Sequence, residues 1–380
     1  MLGSIAAFFR RIGAAVARWL GLLFVWIAWP FLAAHGWYRQ GSWLIKLPIV
    51  AFVTLLALLY IYFVWQTQIW TGFNPAYPDV YKFADRKISA GQDLPPTAQQ
   101  AAAGAAAPKT CQTSAVVDVA ADLTDFNVNQ NSWISSMLLY KLGFFGMSWD
   151  DTPFLDNKAS FQRGVNSVVR RTSAELVDTI GRVRGTSGIN ADLQKARGNL
   201  QFDESSWYFG MHPFGPKTPT PSYYRTAIGN LRAFNADLGN CKAIFDGRAD
   251  NLLQFVDHIA GDLGSTVNIL ADRSQNYSYG WFDMRADDRF WFAYGQLYAT
   301  YGILSAAGVD FQDVIAERNV GRLWTDTLGM LQVALRIQPT IISNGREDSS
   351  FMPSHLATMG FHILRVRSNL VEIRTVLGGR

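Results

Sequence analysis

The chain's most apolar block is LPIVAFVTLLALLYIYFVW at 47–65, nineteen positions without a charge, broken only by Thr54 and two tyrosine hydroxyls. At about 1.5 Å per helical residue it covers roughly the 30 Å of a bilayer's hydrocarbon core, so residues 47–66 are predicted to be a transmembrane helix. A shorter block, WLGLLFVWIAWPFLAA at 19–34, contains Pro30 and follows Arg10, Arg11 and Arg18. Sixteen residues are short for a span, and no small-x-small cleavage site follows. The tryptophans at 19, 26, 29, 37 and 43 are of the type that settles at headgroup depth. Residues 1–46 are therefore read as a basic, Trp-rich interfacial or re-entrant segment.

Beyond residue 66 the pattern changes. TGFNPAYPDVYKFADR at 71–86 reads as a Pro-broken exit from the bilayer, and SAGQDLPPTAQQAAAGAAAPKT at 89–110 has no large apolar residue except Leu94. Such a composition cannot offset its ordering entropy, so 67–110 is read as a tether and 111–380 as the folded domain. In that domain apolar residues recur at steps of three and four. The clearest run is Leu356, Met359, Ile363, Val366, Leu370, Ile373 and Leu377, with Ser354 as N-cap and Gly378 as stop. Similar stripes start at Tyr224, extending to Phe245, and at Leu252, Phe290 and Trp324; 161–183 adds another helix. No comparable run alternates as a strand does. The expected fold is all-α: a membrane anchor followed by an extracytoplasmic bundle of six or seven long helices.

Charge orients the anchor. Residues 1–66 hold five basic side chains and no acid, so the remaining 314 sum to −1. Cytoplasmic flanks carry the excess of Lys and Arg, which predicts an N-terminus inside a bacterial inner membrane and a periplasmic C-terminal domain. The basic pI belongs to the anchor, and a nucleic-acid partner is excluded for want of a basic patch. Cys111 and Cys241 both fall in the exported part, where an oxidising compartment permits a disulfide. The alternative is that Cys241 is a buried thiol on the apolar face of its helix.

Three segments interrupt the helices with acids and aromatics: 144–157, 202–224 and 341–355. FDGRAD at 245–250 returns as FDMRAD at 282–287. Either these are two similar helix starts, with Arg248 and Arg285 paired to nearby carboxylates, or Asp246, Asp250, Asp283 and Asp287 converge on one binding site. Paired carboxylates beside aromatics also fit a glycosidase, with Asp150 and Asp151, Asp203 and Glu204, or Asp287 and Asp288 as acids. Trp207, Tyr208 and His212 would then line the binding surface. Glu204-Ser205 matches the acid dipeptide of lytic transglycosylases, but their Gly-Leu-Met-Gln stretch has no counterpart here. The five histidines form neither an i, i+4 pair nor a Cys/His cluster, so no zinc site or other cofactor is expected.

WYFGMHPFGPKTPTPSYYR, FDGRADNL, GWFDMRADDRFWFAYGQLY and NGREDSSFMPSHLATMGFHILRVRSNLVEIR together resemble a bacterial membrane-protein family, domain of unknown function 2333. The resemblance implies an inner-membrane protein and no catalytic residue. Two functions stay open: a non-enzymatic envelope scaffold that binds the bilayer, itself or a periplasmic partner, and a cell-wall glycan hydrolase.

Overall fold

The computed structural model describes residues 42–96, 109–144, 146–152, 154–182, 188–211 and 213–379, with isolated positions before 42. The interfacial or re-entrant segment expected at 1–46 lies almost wholly outside them. Two compact units are present, Met1–Tyr62 and Phe63–Arg380. In the first, helix α1 (Trp43–Gln68) begins, and its stretch Lys46–Gln68 is long and apolar enough to cross a membrane. Only 6% of its most apolar window is buried by protein.

The second unit is all-helical apart from one hairpin. Its helices are α2 (Ala115–Asp125), the short α3 (Leu138–Leu142), α4 (Asn157–Glu175), α5 (Ala191–Leu200), α6 (Thr220–Gly239) and α7 (Ala249–Asn276). They are followed by α8 (Ala286–Asp310), the short α9 (Gln312–Glu317), α10 (Gly321–Ala334) and α11 (His355–Gly378). Strands β1 (Phe209–Met211) and β2 (Phe214–Pro216) pair antiparallel with Phe209 opposite Pro216. At three residues each they are too short to leave an alternating pattern.

α8 is the central helix. It is buried on nearly every side, including Phe290, Tyr294, Leu297, Tyr298, Ile303 and Leu304, so it reads as apolar all round rather than striped. α4 runs parallel to it at very close range. A Cβ on Gly164 would stand 2.1 Å from the carbonyl oxygen of Phe292, and one on Gly295 would stand 2.2 Å from that of Phe161. Both glycines are there because the backbones touch. Gly295→Ala is expected to cost about 1–3 kcal/mol by forcing the pair apart. Chemical denaturation of the purified chain measures it, and an unchanged midpoint would mean the helices separate freely.

α7 and α11 pair antiparallel, with Arg374 on Asp257 (2.7 Å) near one end and the Ser274 and Ser354 hydroxyls 2.8 Å apart at the other. Ser354 caps α11 by accepting from the Ala357 N–H (3.2 Å). The start of α2 is held by Asp310, which accepts from the Ser114 hydroxyl (2.6 Å) and the Ala115 and Val116 amides (2.8 and 2.9 Å).

Two expectations are corrected by packing. Residues 69–96 are not a tether: Trp70 lies 4.9 Å from Phe161 and 5.2 Å from Trp291, and Phe73 and Tyr77 stack on Tyr298. Their aromatic rings fill the outer groove of α4 and α8, and that burial exceeds the cost of ordering irregular backbone. The segments flanking the Ala-rich stretch pair with each other, Gly91 N–H on Gln112 O (2.8 Å) and Leu94 N–H on Thr110 O (2.9 Å); residues 97–108 lie outside the described set. The second correction concerns α6, which stops at Gly239, so Cys241 and Phe245 are not on its apolar stripe. Cys241 turns the chain at φ 57° and is disulfide-bonded to Cys111, with Cα atoms 5.3 Å apart.

Candidate functional site

One end of the domain collects the last turn of α1, the starts of α4, α8 and α11, and the end of α7. The link to α1 is Lys158, in the first turn of α4, whose Nζ donates to the carbonyls of Gln66 (2.9 Å) and Ile69 (2.8 Å). A cation there satisfies carbonyls that a helix C-terminus leaves open. Burial pushes its ammonium down to about 8. Trp149, in the 144–157 loop, is buried against Phe63 at 4.7 Å, and Gln68 donates to the Phe154 carbonyl (2.9 Å).

Behind this loop lies a carboxylate cluster. Single oxygens of Asp150, Asp156 and Asp288 fall within 4.8 Å of one another. Asp150 accepts from Tyr140 Oη (2.7 Å), which in turn accepts from Arg163 (2.9 Å); Asp288 accepts from Ser160 Oγ (2.7 Å). Asp156 stands at the N-cap of α4 but makes no cap hydrogen bond. Its side chain is fully buried, and its hydrogen-bonding neighbour is the Asp288 carboxyl, with no amide, hydroxyl or cationic side chain donating to either oxygen. Asp287 is 4% exposed and has no side-chain partner on either oxygen. Burial, then the charges of Asp288 and Asp287, hold the Asp156 carboxyl far above the usual range. Burial and Asp288 push Asp287 up to about 8, and Asp288 itself is raised by burial and Asp150.

The nearby cations are engaged elsewhere. Arg163 spends its Nε on Ser135 (3.0 Å), Lys158 serves α1, and Arg285 pairs with Asp151 (3.0 Å). Apolar side chains rim the same end: Phe144, Met147 and Phe154 on the first loop, Trp281 and Phe282 on the α7–α8 connection, and Phe351 before α11. Phe282 and Phe351 are 82% and 72% exposed, and the Trp281 and Phe351 rings lie 5.1 Å apart.

The remaining sequence candidates do not converge. Asp246 and Asp250 sit with Arg248 (2.9 and 3.7 Å) at the start of α7, whereas Asp283 and Asp287 lie past its far end. The 28-residue helix α7, about 40 Å long, runs from the first copy of the motif toward the second. Asp283 is enclosed by Arg273, which donates twice at 3.0–3.1 Å through Nε, and by Asn344 Nδ2 (2.7 Å). Glu204 is held by Arg170 (3.0 Å) and Asn166 (2.9 Å). Asp203 accepts from the Ser205 amide and hydroxyl, both at 3.0 Å. Trp207 and Tyr208 lead into the exposed hairpin, and His212 lies outside the described residues. A separate polar groove of about 520 Å³, lined by Arg170, Arg171, Gln201 and Asp262, is closed on one side by the bidentate Arg171–Asp262 pair (2.8 and 2.9 Å).

Asp156 is the residue that sequence reading missed. An Asp immediately before a helix reads as a cap, and only the packed structure takes its carboxylate away from the helix N-terminus. The available signal was the spacing of Asp150, Asp151 and Asp156 within a loop rich in aromatics.

Fold and site together define a mostly helical domain that follows one apolar N-terminal helix and carries a carboxylate cluster centred on the buried Asp156. The chain belongs to the family described as an uncharacterized protein conserved in bacteria (DUF2333), whose family model matches residues 43–280. That match takes in α1 and the domain as far as Gly280; the resembling blocks at the C-terminus lie past it. No curated protein and no solved structure matches the chain.

Proposed function

We propose that this chain is a bacterial inner-membrane protein whose periplasmic helical domain acts by binding, as an envelope scaffold or interaction module. The observation that carries the reading is the apolar rim at the end of the domain adjoining residues 63–69. A rim of exposed Phe, Trp and Met is costly in water and is normal at an interface. Its occupant is the headgroup layer, because residues hydrogen-bonded to the last turn of a spanning helix stand at that depth, where aromatic rings are favoured. The Cys111–Cys241 disulfide supports an oxidising compartment, and the basic flank before α1 supports an N-terminus inside.

The hydrolase reading has less in its favour. Glu204 and Asp283 are engaged by Arg170 and Arg273, and Asp156 and Asp287, whose pKa values are raised, are buried where a sugar ring cannot reach them. A glycosidase needs its acid pair open to a cleft.

The test is the mass and composition of the complex extracted from native membranes in mild detergent, by light scattering with mass spectrometry. A homo-oligomer or a stoichiometric partner is expected; a bare monomer would overturn the scaffold. The rim is checked separately in nanodiscs containing brominated lipid. Tryptophan fluorescence of the wild type should be quenched more than that of Trp281→Phe, and equal quenching would remove the bilayer as occupant.

A further inference from the structure

We propose that Asp150, Asp156 and Asp288 form the carboxylate face of a site for one hard divalent cation of the Ca²⁺ or Mg²⁺ class.

Geometry comes first. Oxygens from the three residues lie within 4.8 Å of one another, so small side-chain shifts would bring all three onto one ion at metal–oxygen distances of about 2.1–2.5 Å. They come from different parts of the chain: Asp150 from the loop after α3, Asp156 from the N-cap of α4, Asp288 from the first turn of α8. An all-oxygen donor set selects hard cations over zinc or copper.

A cluster of acids alone would mean little, and Asp156 supplies the independent observation. It is fully buried and faces the other two carboxylates, and no amide, hydroxyl or cationic side chain donates to either oxygen; its hydrogen-bonding neighbour is the Asp288 carboxyl, an acid like itself. Its position offers it the free amides at the start of α4, yet it does not take them. Asp287 is buried beside it with no side-chain partner. Buried carboxylates are ordinarily paired, hydrogen-bonded or metal-bound. Among the described residues no Lys or Arg bonds to any of these three carboxylates: Arg163 reaches Tyr140 and Ser135, and Lys158 reaches backbone carbonyls. The hydrogen bonds of Asp150 and Asp288, to Tyr140 and Ser160, are of the kind that orient ligating carboxylates from outside the coordination shell.

A bound ion would clamp the 144–157 loop to the start of α8 and so join two of the segments that carry the apolar rim. The inference does not depend on what that rim contacts.

The test uses the full chain purified in detergent and stripped with EDTA, then titrated with Ca²⁺, Mg²⁺ or Mn²⁺ alone by calorimetry and thermal unfolding. A one-site isotherm and a rise in Tm of several degrees are expected with at least one ion. Asp156→Asn should abolish both, while Asp272→Asn, at an exposed acid on α7, should leave them unchanged. Asp156→Asn keeps the side chain's shape and removes a buried charge, so it should fold; circular dichroism verifies this. Millimolar ion without heat or Tm shift in the wild type would overturn the proposal, as would a response that survives in Asp156→Asn. If that variant does not fold, Asp288→Asn and Asp150→Asn take its place under the same criteria.

Discussion

Asp283→Ala is expected to lose about 3–5 kcal/mol of stability, the range for removing one partner of a buried, hydrogen-bonded ion pair. Asp283 is the centre of a network that ties two long connections to the end of α7. Arg273 donates to it from Nε and Nη2, and Asn344 donates to it while also bonding the carbonyls of Arg273 (3.1 Å) and Tyr277 (3.0 Å). Asn344 in turn accepts from Ser354 (3.3 Å), the cap of α11. Without the carboxylate, the Arg273 guanidinium stays half-enclosed without its charge partner and Asn344 loses an acceptor. Both connections, 277–285 and 341–354, should then become sites of proteolytic nicking while α4 and α8 persist. Urea unfolding and limited proteolysis of the detergent-purified chain measure this. A variant of wild-type stability that no longer forms its native complex would instead make Asp283 a binding residue. Replacing both partners, Arg273→Met with Asp283→Leu, should recover much of the loss, because the cost lies in the unpaired charge.

The two copies of the FDxRAD motif show where sequence stops being informative. In the first, Arg248 folds back onto Asp246 at a half-exposed helix start; in the second, Arg285 reaches away to Asp151 and the Asp is buried under Arg273. The strings are nearly the same, and the tertiary neighbours decide their roles. Helices whose apolar residues keep a three-and-four spacing, such as α7 and α11, were legible because that spacing is the packing surface. Residues 69–96 were not, since Trp70, Phe73, Tyr77 and Tyr81 sit in irregular backbone where aromatic content, not period, drives the packing. The carboxylate cluster was half legible: Asp150 and Asp288 were candidates, but their meeting depends on the parallel contact of α4 and α8 through Gly164 and Gly295, which no local pattern encodes.

In EDTA the domain should become less stable as pH rises from 6.5 to 8, and Asp156→Asn should remove about half of that slope. The sign follows from the cluster. Asp156, Asp287 and Asp288 all have folded pKa values above those of the unfolded chain, Asp287 at about 8, so the folded state holds protons that the unfolded state has released. A carboxyl of this kind contributes stability fully below about pH 4, and the contribution is lost as pH climbs through the folded value. Each proton so held costs about 1.4 kcal/mol per pH unit, so one or two protons give a fall of roughly 2–4 kcal/mol across the window. Opposing groups act mainly at the edges of the window: His355 and His362, lowered by burial, work against the fall near its lower end, where unfolded imidazoles still hold protons, and Lys158, lowered to about 8, does so at its upper end. Asn at 156 does not titrate, so the proton that Asp156 holds throughout the window drops out of the balance and Asp287, at about 8, is left to titrate there. The variant should therefore match or fall below the wild type at pH 5 and exceed it at pH 8, a crossing that a simple loss of packing cannot produce. Urea unfolding at the two pH values reads it directly. Parallel profiles for the two proteins would mean that the cluster is charged and compensated in the fold, because such carboxylates are ionised in both states across this window.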